Sequence, residues 1–263
     1  MRTIAVTGAA SGIGAATAAR LARQGDRIIG VDRRDADVMC DLATPAGRRT
    51  AIDEVARRCD GALDGLVTCA GLGGATGRAA STLVSVNYFG TVELLTGLQP
   101  ALARGDEAAA VAISSNSTTV QPGWSPELVD ACLGGNEDGA RAVADERDSM
   151  AAYPATKVAV ARWVRRHAPS PAWVGAGIRL NAVAPGLTAT PLVDETRADP
   201  VLGPLIEQFP IPVGRPGRAD EIAAFIAFLL GPDARFFCGS VVWVDGGSDA
   251  LLRPDDWPAP WSV

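Results

Sequence analysis

At 263 residues, with 48% apolar and 21% charged side chains, the chain has globular composition and enough length for one large core; α/β folds of this size commonly stay a single domain. Its net charge of −6 argues against a polyanionic partner, because nucleic-acid binding rests on basic contacts to phosphates. No apolar run approaches the roughly 18 residues of a membrane span, so the expectation is a soluble protein whose partner is a small neutral molecule, with neither nucleic acid nor membrane.

In chain order, the first strand pattern is Thr3–Thr7, which follows Met1-Arg2 directly and leaves no place for a secretory leader; the cytoplasm is the expected location. Next comes Thr7-Gly8-Ala9-Ala10-Ser11-Gly12-Ile13-Gly14, then an alanine-rich helical pattern over Ile13–Gln24, then a second strand pattern over Arg27–Val31 ending at Asp32. This is a βαβ unit. Glycines in its first turn let a pyrophosphate approach the helix N-terminus, whose unpaired N–H groups and dipole favour negative charge. Gly8, Ser11, Gly12, Ile13 and Gly14 are therefore candidate cofactor-binding residues. Asp32 lies 18 positions beyond Gly14, where a carboxylate accepts hydrogen bonds from the adenosine ribose and repels a 2′-phosphate. NAD is the expected cofactor, although Arg33 and Arg34 follow and could hold that phosphate. After a third strand pattern, Val38–Cys40, the pair Asp41-Leu42 either contacts the adenine or forms a helix-capping turn.

Further strand patterns fall at Gly65–Cys69, Ala109–Ile113, Arg179–Val183 and Ser240–Val244, with helical stretches between most of them. Seven strands alternating with helices predict a doubly wound, parallel α/β sheet of Rossmann type, one domain over 1–263. Two segments break the alternation. Asn116–Met150 is an acidic, glycine-punctuated insertion with two short helical patterns, Pro126–Leu133 and Asp138–Asp148. Leu187–Gly217 is rich in proline and apolar side chains and reads as a substrate lid. Residues 248–263 form a C-terminal tail.

Cys40, Cys59, Cys69, Cys132 and Cys238 are scattered, odd in number and without C-x-x-C spacing, which points to buried free thiols rather than disulfides or zinc. His167, the only histidine, is expected to be solvated at a helix end beside Arg165 and Arg166, so histidine triads and multi-histidine metal sites recede and no metal is expected. Of the 24 basic residues 23 are arginine, and the exception, Lys157, stands in Tyr153-Pro154-Ala155-Thr156-Lys157. At a spacing of four on a helix both side chains share a face. A tyrosine with an ordinary pKa near 10 is a poor base at neutral pH, and a compact ammonium nearby could lower it while also reaching ribose hydroxyls.

With these residues in hand, the sequence resembles the short-chain dehydrogenase/reductase family from Thr3 to about Gly247. The matching pieces, in order, are the glycine motif, Asp32, Cys69-Ala70-Gly71, Asn87, Ser114-Ser115, the tyrosine–lysine pair, Asn181–Gly186 and Val244-Asp245-Gly246-Gly247. The resemblance implies Tyr153 as acid/base and Lys157 as its electrostatic partner and ribose ligand. It implies Ser115 as the donor that polarises the substrate oxygen and Asn87 as the anchor of a proton-relay water. Gly71, Pro185, Gly186, Thr188 and Thr190 join the cofactor set, the last two holding the carboxamide. The chain departs from the family at Thr68-Cys69, where two asparagines are usual, and in the 38 positions between Ser115 and Tyr153, far more than most members have.

The insertion, the stretch Val31–Asp37, Val84–Gly90 and Leu251–Pro254 are similar to the bacterial 3α-hydroxysteroid dehydrogenase/carbonyl reductase branch. That likeness, with Pro191, Leu192, Val193, Leu205, Ile206, Phe209, Pro210, Ile211 and Pro212 as an apolar wall, implies a hydrophobic alicyclic or steroid-like ketone/alcohol substrate. In the wider family the helices beside the insertion pair in tetramers. An exposed or partly ordered insertion is expected to block that contact and leave a homodimer through the apolar Ile222–Leu230. A lyase without dinucleotide and a nucleotide-sensing regulator are alternatives weakened by the intact glycines and tyrosine–lysine pair; an acyl-chain reductase is weakened by Asp32 and the negative charge.

Overall fold

Short runs of alanine, valine and isoleucine, each closed by a turn residue, make the strands, and the computed structural model describes them within residues 1–256; the end of the expected tail, 257–263, lies outside the described residues. The first half contains β1 (Thr3–Thr7), α1 (Gly12–Arg23), β2 (Arg27–Asp32), β3 (Val38–Met39), α2 (Pro45–Arg58) and β4 (Gly65–Thr68). Next, α3 (Ala80–Leu83) passes through a π-helical turn, Val84–Phe89, into α4 (Gly90–Leu102), which leads to β5 (Ala109–Ile113). Then come α5 (Ser117–Val120), α6 (Pro126–Leu133), α7 (Glu137–Asp145) and the long α8 (Ser149–His167). The remainder is β6 (Arg179–Pro185), β7 (Thr188–Ala189), α9 (Pro191–Ala198), α10 (Leu202–Glu207), β8 (Gly217–Arg218), α11 (Ala219–Leu230), β9 (Val241–Val244) and α12 (Ser248–Leu252).

Seven strands form one sheet in the order β3-β2-β1-β4-β5-β6-β9, all parallel, as the alternation of patterns predicts. The two-residue strands β7 and β8 pair separately within the lid and have no counterpart in the sequence reading. Strand order reverses between β1 and β4, which opens a crevice at the carboxyl ends of the strands, the place where such sheets bind ligands. Successive residues of a strand face opposite sides. Ala5, Leu66, Ala110 and Ala182 accordingly pack with Leu94, Leu98, Val160 and Val164, while Ile4, Val6, Val67 and Val183 pack with Leu21, Ile222 and Ile226.

Four expectations need correction. The insertion is ordered and exposed on one face only: α6 and α7 are regular helices whose Leu128, Val129, Cys132, Ala140 and Ala144 are fully buried in the main core. Both helices are capped locally, Ser125 Oγ accepting from Leu128 N at 3.1 Å and Asn136 Oδ1 from Gly139 N at 3.2 Å, and the second starts and ends earlier than its sequence pattern. His167 is half-buried rather than solvated, stacked on Trp163 at 4.1 Å between ring centroids. Of the five free thiols only Cys59 and Cys132 are fully buried; Cys40 and Cys69 are intermediate, and Cys238 is exposed because it follows the surface turn after α11. Finally, Ile222–Leu230 spends most of its apolar face inside the molecule, where α11 packs against α1 and the sheet, and among the described residues Phe228 and the neighbouring Phe236 are the large exposed aromatics. No helix among the described residues is long and apolar enough to cross a membrane.

Because Leu128 belongs to the common core, Leu128→Ala should lower global stability by about 2–5 kcal/mol in urea unfolding, the usual cost of a buried leucine. Glu127→Ala, on the outer face of the same helix, should stay within about 0.5 kcal/mol. Equal and small effects would mean that the insertion unfolds independently of the rest.

Candidate active site

One cleft of about 620 Å³ lies at the carboxyl ends of the strands. Its nucleotide end is made by backbones in close approach. Gly8 has a left-handed φ of +68°, and a Cβ there would stand 2.9 Å from Ala70 N; a Cβ on Gly14 would stand 2.1 Å from Gly8 O. Only glycine fits these positions. The N-terminus of α1 that they bring to the cleft has no acidic residue in its first turn, and Ser11 makes no side-chain cap, so its leading N–H groups keep their capacity for an anion. Gly8, Ser11, Gly12, Ile13 and Gly14 all line the cleft. Asp32 lies at the same wall, its carboxylate oriented by Ala10 N at 3.1 Å and Arg33 N at 2.7 Å. Asp41 and Leu42 also line it; Asp41 closes a turn with Ala43 N at 2.9 Å, but the cap of α2 is Thr44. Gly71, Pro185, Gly186, Thr188 and Thr190 complete the predicted set, with the Thr188 hydroxyl donating to Gly186 O at 2.9 Å. These uncapped N–H groups, side-chain-free approaches and paired carboxylate fit a dinucleotide.

The other end is built on α8. Asp148 caps the helix through Ala151 N at 2.7 Å. Pro154, inside the second turn, has no N–H for Met150 O, and the Gln121 amide donates to that carbonyl instead at 3.0 Å. The helix therefore stays intact and carries Tyr153 and Lys157 into the cleft, where they meet Ser115 from the end of β5. Lys157 is 4% exposed and donates to Ile113 O at 3.0 Å, while the Ser114 hydroxyl donates to Lys157 O at 3.0 Å. Ser115 Oγ accepts from Ser117 N at 3.1 Å. Asn87 is fully buried behind the wall rather than on it: its amide pairs with Leu72 N at 2.8 Å and Leu72 O at 3.0 Å, fixing the segment after β4.

Burial dominates the titration of this pair. The Tyr153 hydroxyl is pushed above its ordinary pKa by burial, against which its hydrogen bond with Ser115 works, and the Lys157 ammonium is pushed down to about 8, again by burial. The ammonium stands 6.0 Å from the tyrosine ring centre. The expected lowering of the tyrosine pKa by Lys157 does not emerge in the chain by itself: burial raises it, and the opposing influence is the hydrogen bond with Ser115.

The substrate end is walled by Pro191, Leu192, Val193, Leu205, Ile206 and Phe209, as the sequence predicts, but Pro210, Ile211 and Pro212 turn away. They pack on the turn at Gly246 and Gly247, where an added Cβ would stand 2.9 Å from Ile211 and 3.3 Å from Pro212, and Ser248 Oγ holds Pro210 O at 2.8 Å. The lid is tied down by Asp199, whose carboxylate accepts from Thr76 N at 2.6 Å, Thr76 Oγ1 at 3.0 Å and Leu202 N at 3.0 Å; those hydrogen bonds hold its pKa down at about 2. Gln121, Met150 and Thr196 also line the cleft without a signal in the sequence: Gln121 follows the short α5, and Met150 and Thr196 lie on helices within segments read as insertion and lid. Among the described residues no group of three or more His, Cys, Asp or Glu could hold a metal.

Comparison with known proteins gives the family of the chain. Residues 2–126 match the family model for short chain dehydrogenases, and 138–249 match that for enoyl-(acyl carrier protein) reductases. The chain belongs to the short-chain dehydrogenase/reductase family and is an oxidoreductase. It is 43% identical to the 3-alpha-hydroxysteroid dehydrogenase/carbonyl reductase of Comamonas testosteroni over 257 residues, covering 97% of this chain and 99% of that one. It is 35% identical to the cis-4-hydroxycyclohexanecarboxylate dehydrogenase of Sinomonas cyclohexanicum, covering 95% and 97%. In structure it resembles the 3-alpha-hydroxysteroid dehydrogenase from Pseudomonas sp. B-0831 complexed with NADH, with a TM-score of 0.93 and 48% identity, covering 97% of this chain and 100% of that one.

Proposed function

We propose that the chain is an NAD(H)-dependent enzyme that interconverts a hydrophobic, alicyclic or steroid-like secondary alcohol and its ketone. The observation that carries this reading is the convergence of Ser115, Tyr153 and Lys157 in one cleft, between a dinucleotide-shaped half and an apolar lid. The relatives named for hydroxysteroid and hydroxycyclohexane substrates support the same class. When bound, the nicotinamide supplies or accepts the hydride. In reduction, Tyr153 gives its proton to the carbonyl oxygen while the Ser115 hydroxyl stabilises the charge growing there. In oxidation the phenolate of Tyr153 takes the alcohol proton. Lys157 contributes a positive charge beside the phenolate and a donor for ribose hydroxyls, and Asn87 holds the backbone on which a proton-relay water would rest.

Assembly as a homodimer in the cytoplasm belongs to this reading. Helices α6 and α7 cover α8 and the turn Val84–Phe89, occupying the face that would otherwise pair helices between subunits. The face left over is aromatic: Phe225 stacks on Phe228 at 5.8 Å, Phe228 meets Phe237 at 5.6 Å, and Phe236 is fully exposed beside them.

Tyr153→Phe should bind NADH like the parent yet lose at least about a hundredfold in kcat, in line with removal of a general acid/base. An absorbance assay with alicyclic ketones and polyols tests this together with the substrate class; efficient turnover of polyols alone, or a Tyr153→Phe enzyme within tenfold of the parent, would overturn the assignment. The raised Tyr153 pKa sets the sign with pH: the hydroxyl is protonated at neutral pH, so ketone reduction is supported there and declines as the hydroxyl ionises, whereas alcohol oxidation rises with pH. Asp32→Ala should narrow the preference for NADH over NADPH about tenfold or more, the value of roughly 1.4 kcal/mol; a parent with equal kcat/KM for both would contradict the role of the carboxylate. Light scattering should give a dimer at micromolar concentration, and Phe228→Glu should shift it toward monomer. A stable tetramer would refute the covering role of α6 and α7.

A further inference from the structure

Arg48, in the first half of α2, is a charged side chain far from the reacting groups and 1% exposed. Its guanidinium is completely engaged with three parts of the molecule. Nε donates to Glu93 on α4 at 2.7 Å, both terminal nitrogens grip the Glu137 carboxylate at the start of α7, and Nη1 also donates to the backbone carbonyl of Leu42 at 3.2 Å. Glu137 is in turn held by the Ser85 hydroxyl at 2.6 Å, and Arg141, one turn along α7, donates to that same hydroxyl at 2.6 Å. Burial opposes the charge on Arg48, yet the hydrogen bonds to Glu93 and Glu137 leave its pKa above the ordinary value. The first turn of α7, within the insertion, is thereby wired to the backbone of Asp41-Leu42, which lines the adenosine end of the cleft.

We infer that Glu137, through Arg48, is a positioning residue for the cofactor: the insertion sets the backbone of Cys40–Ala43 and so the affinity of the adenosine half, without touching the reacting atoms. The geometry accounts for direction. A forked pair with a carboxylate fixes the plane of a guanidinium, and that plane decides where Nη1 points. With the pair intact, Nη1 is aimed at Leu42 O. With Glu137 neutral or shortened, Glu93 alone holds Nε, the guanidinium can pivot about that bond, and Leu42 O loses its donor. The segment then gains freedom that must be lost again on binding, which weakens affinity. The catalytic pair on α8 is anchored independently by Asp148, Ile113 O and Ser114 and keeps its geometry.

This inference rests on the NAD reading above, and its test separates the two. Fluorescence titration and calorimetry measure binding of NADH and of ADP-ribose to the parent, Glu137→Gln, Glu137→Asp and the insertion control Glu127→Gln. Glu127 pairs with Arg147 at 2.9 Å on the outer surface and has no link to Arg48. Glu137→Gln should bind both ligands roughly fivefold to tenfold more weakly, the size expected of coupling through a contiguous network, with Glu137→Asp between it and the parent and Glu127→Gln unchanged. KM for NADH should rise in step while kcat at saturating NADH holds, a split that general destabilisation would not produce. If Glu137→Gln fails to fold, the charge-conserving Glu137→Asp carries the test. Unchanged ligand affinity in the folded variant overturns the inference, as does weakening of NADH without weakening of ADP-ribose, because the defect would then lie away from the adenosine. Failure of the parent itself to bind NADH overturns the underlying cofactor reading instead.

Discussion

The site depends on keeping one ammonium almost dry. Lys157 is the chain's single lysine, its side chain is buried, and its nitrogen donates to a strand-end carbonyl, Ile113 O, at 3.0 Å. A buried cation is costly unless partners hold it, and here burial already brings its pKa down to about 8. The neighbouring structure follows from that requirement. Strand β5 must end where its last carbonyl points at α8, and α8 must begin early enough to place Tyr153 one turn before Lys157. The segment after β4 must pass within contact of the ammonium, which it does at Gly71, where an added Cβ would stand 3.4 Å from Nζ. An arginine in this place would bring a wide planar fork to a slot whose walls leave room for a point charge.

That segment after β4 is shared between the two ends of the cleft. Its backbone is fixed by Asn87 at Leu72, by a reciprocal pair between Ser149 and Ala75 at 3.0 and 2.7 Å, and by Asp199 at Thr76. Gly73 and Gly74 lie between these ties, where an added Cβ would stand 3.3 Å from Leu192 of the lid and 3.0 Å from Met150 of α8. Lid and catalytic helix thus press on opposite sides of one stretch of backbone. Displacement of either is felt by the other through packing, because close-packed interiors have little free volume to absorb it.

What the sequence made legible follows from how local each determinant is. Strands in a parallel sheet are buried on both faces and appear as short continuous apolar runs, so all seven were readable, and glycine spacing placed the phosphate turn because close backbone approach excludes other residues. Determinants made by distant contacts were not readable. Pro210–Pro212 look like pocket wall by composition, and only the turn at Gly246-Gly247 decides that they face away. Gln121 gives no signal by itself; its role comes from the missing N–H of Pro154, 33 positions later. Asn87 is identified by resemblance, while its pairing with both backbone groups of Leu72 depends on a loop that no periodicity describes.

The two helices of the insertion are legible as patterns but their burial is not, for a physical reason. Its helices span 8 and 9 residues, too short to persist alone, and acidic residues dominate their outer faces, so the two helical patterns give no sign that they join the core. Yet Leu128, Val129 and Cys132 fall at i, i+1 and i+4, as do Ala140 and Ala144 at i and i+4, each a narrow stripe that one packed neighbour can cover. Side-chain caps at Ser125 and Asn136 satisfy the leading N–H groups, and the buried Arg48 compensates the inward carboxylate of Glu137. The pair is buried on the arginine side and partly exposed at Glu137, and without that carboxylate the buried guanidinium would keep Glu93 as its carboxylate partner. The acidity of the segment therefore divides into two functions: Glu127, Asp130 and Glu146 keep its outer surface hydrated, while Glu137 is directed inward, where a carboxylate bonded to α2 holds the insertion against the same elements that shape the adenosine end of the cleft.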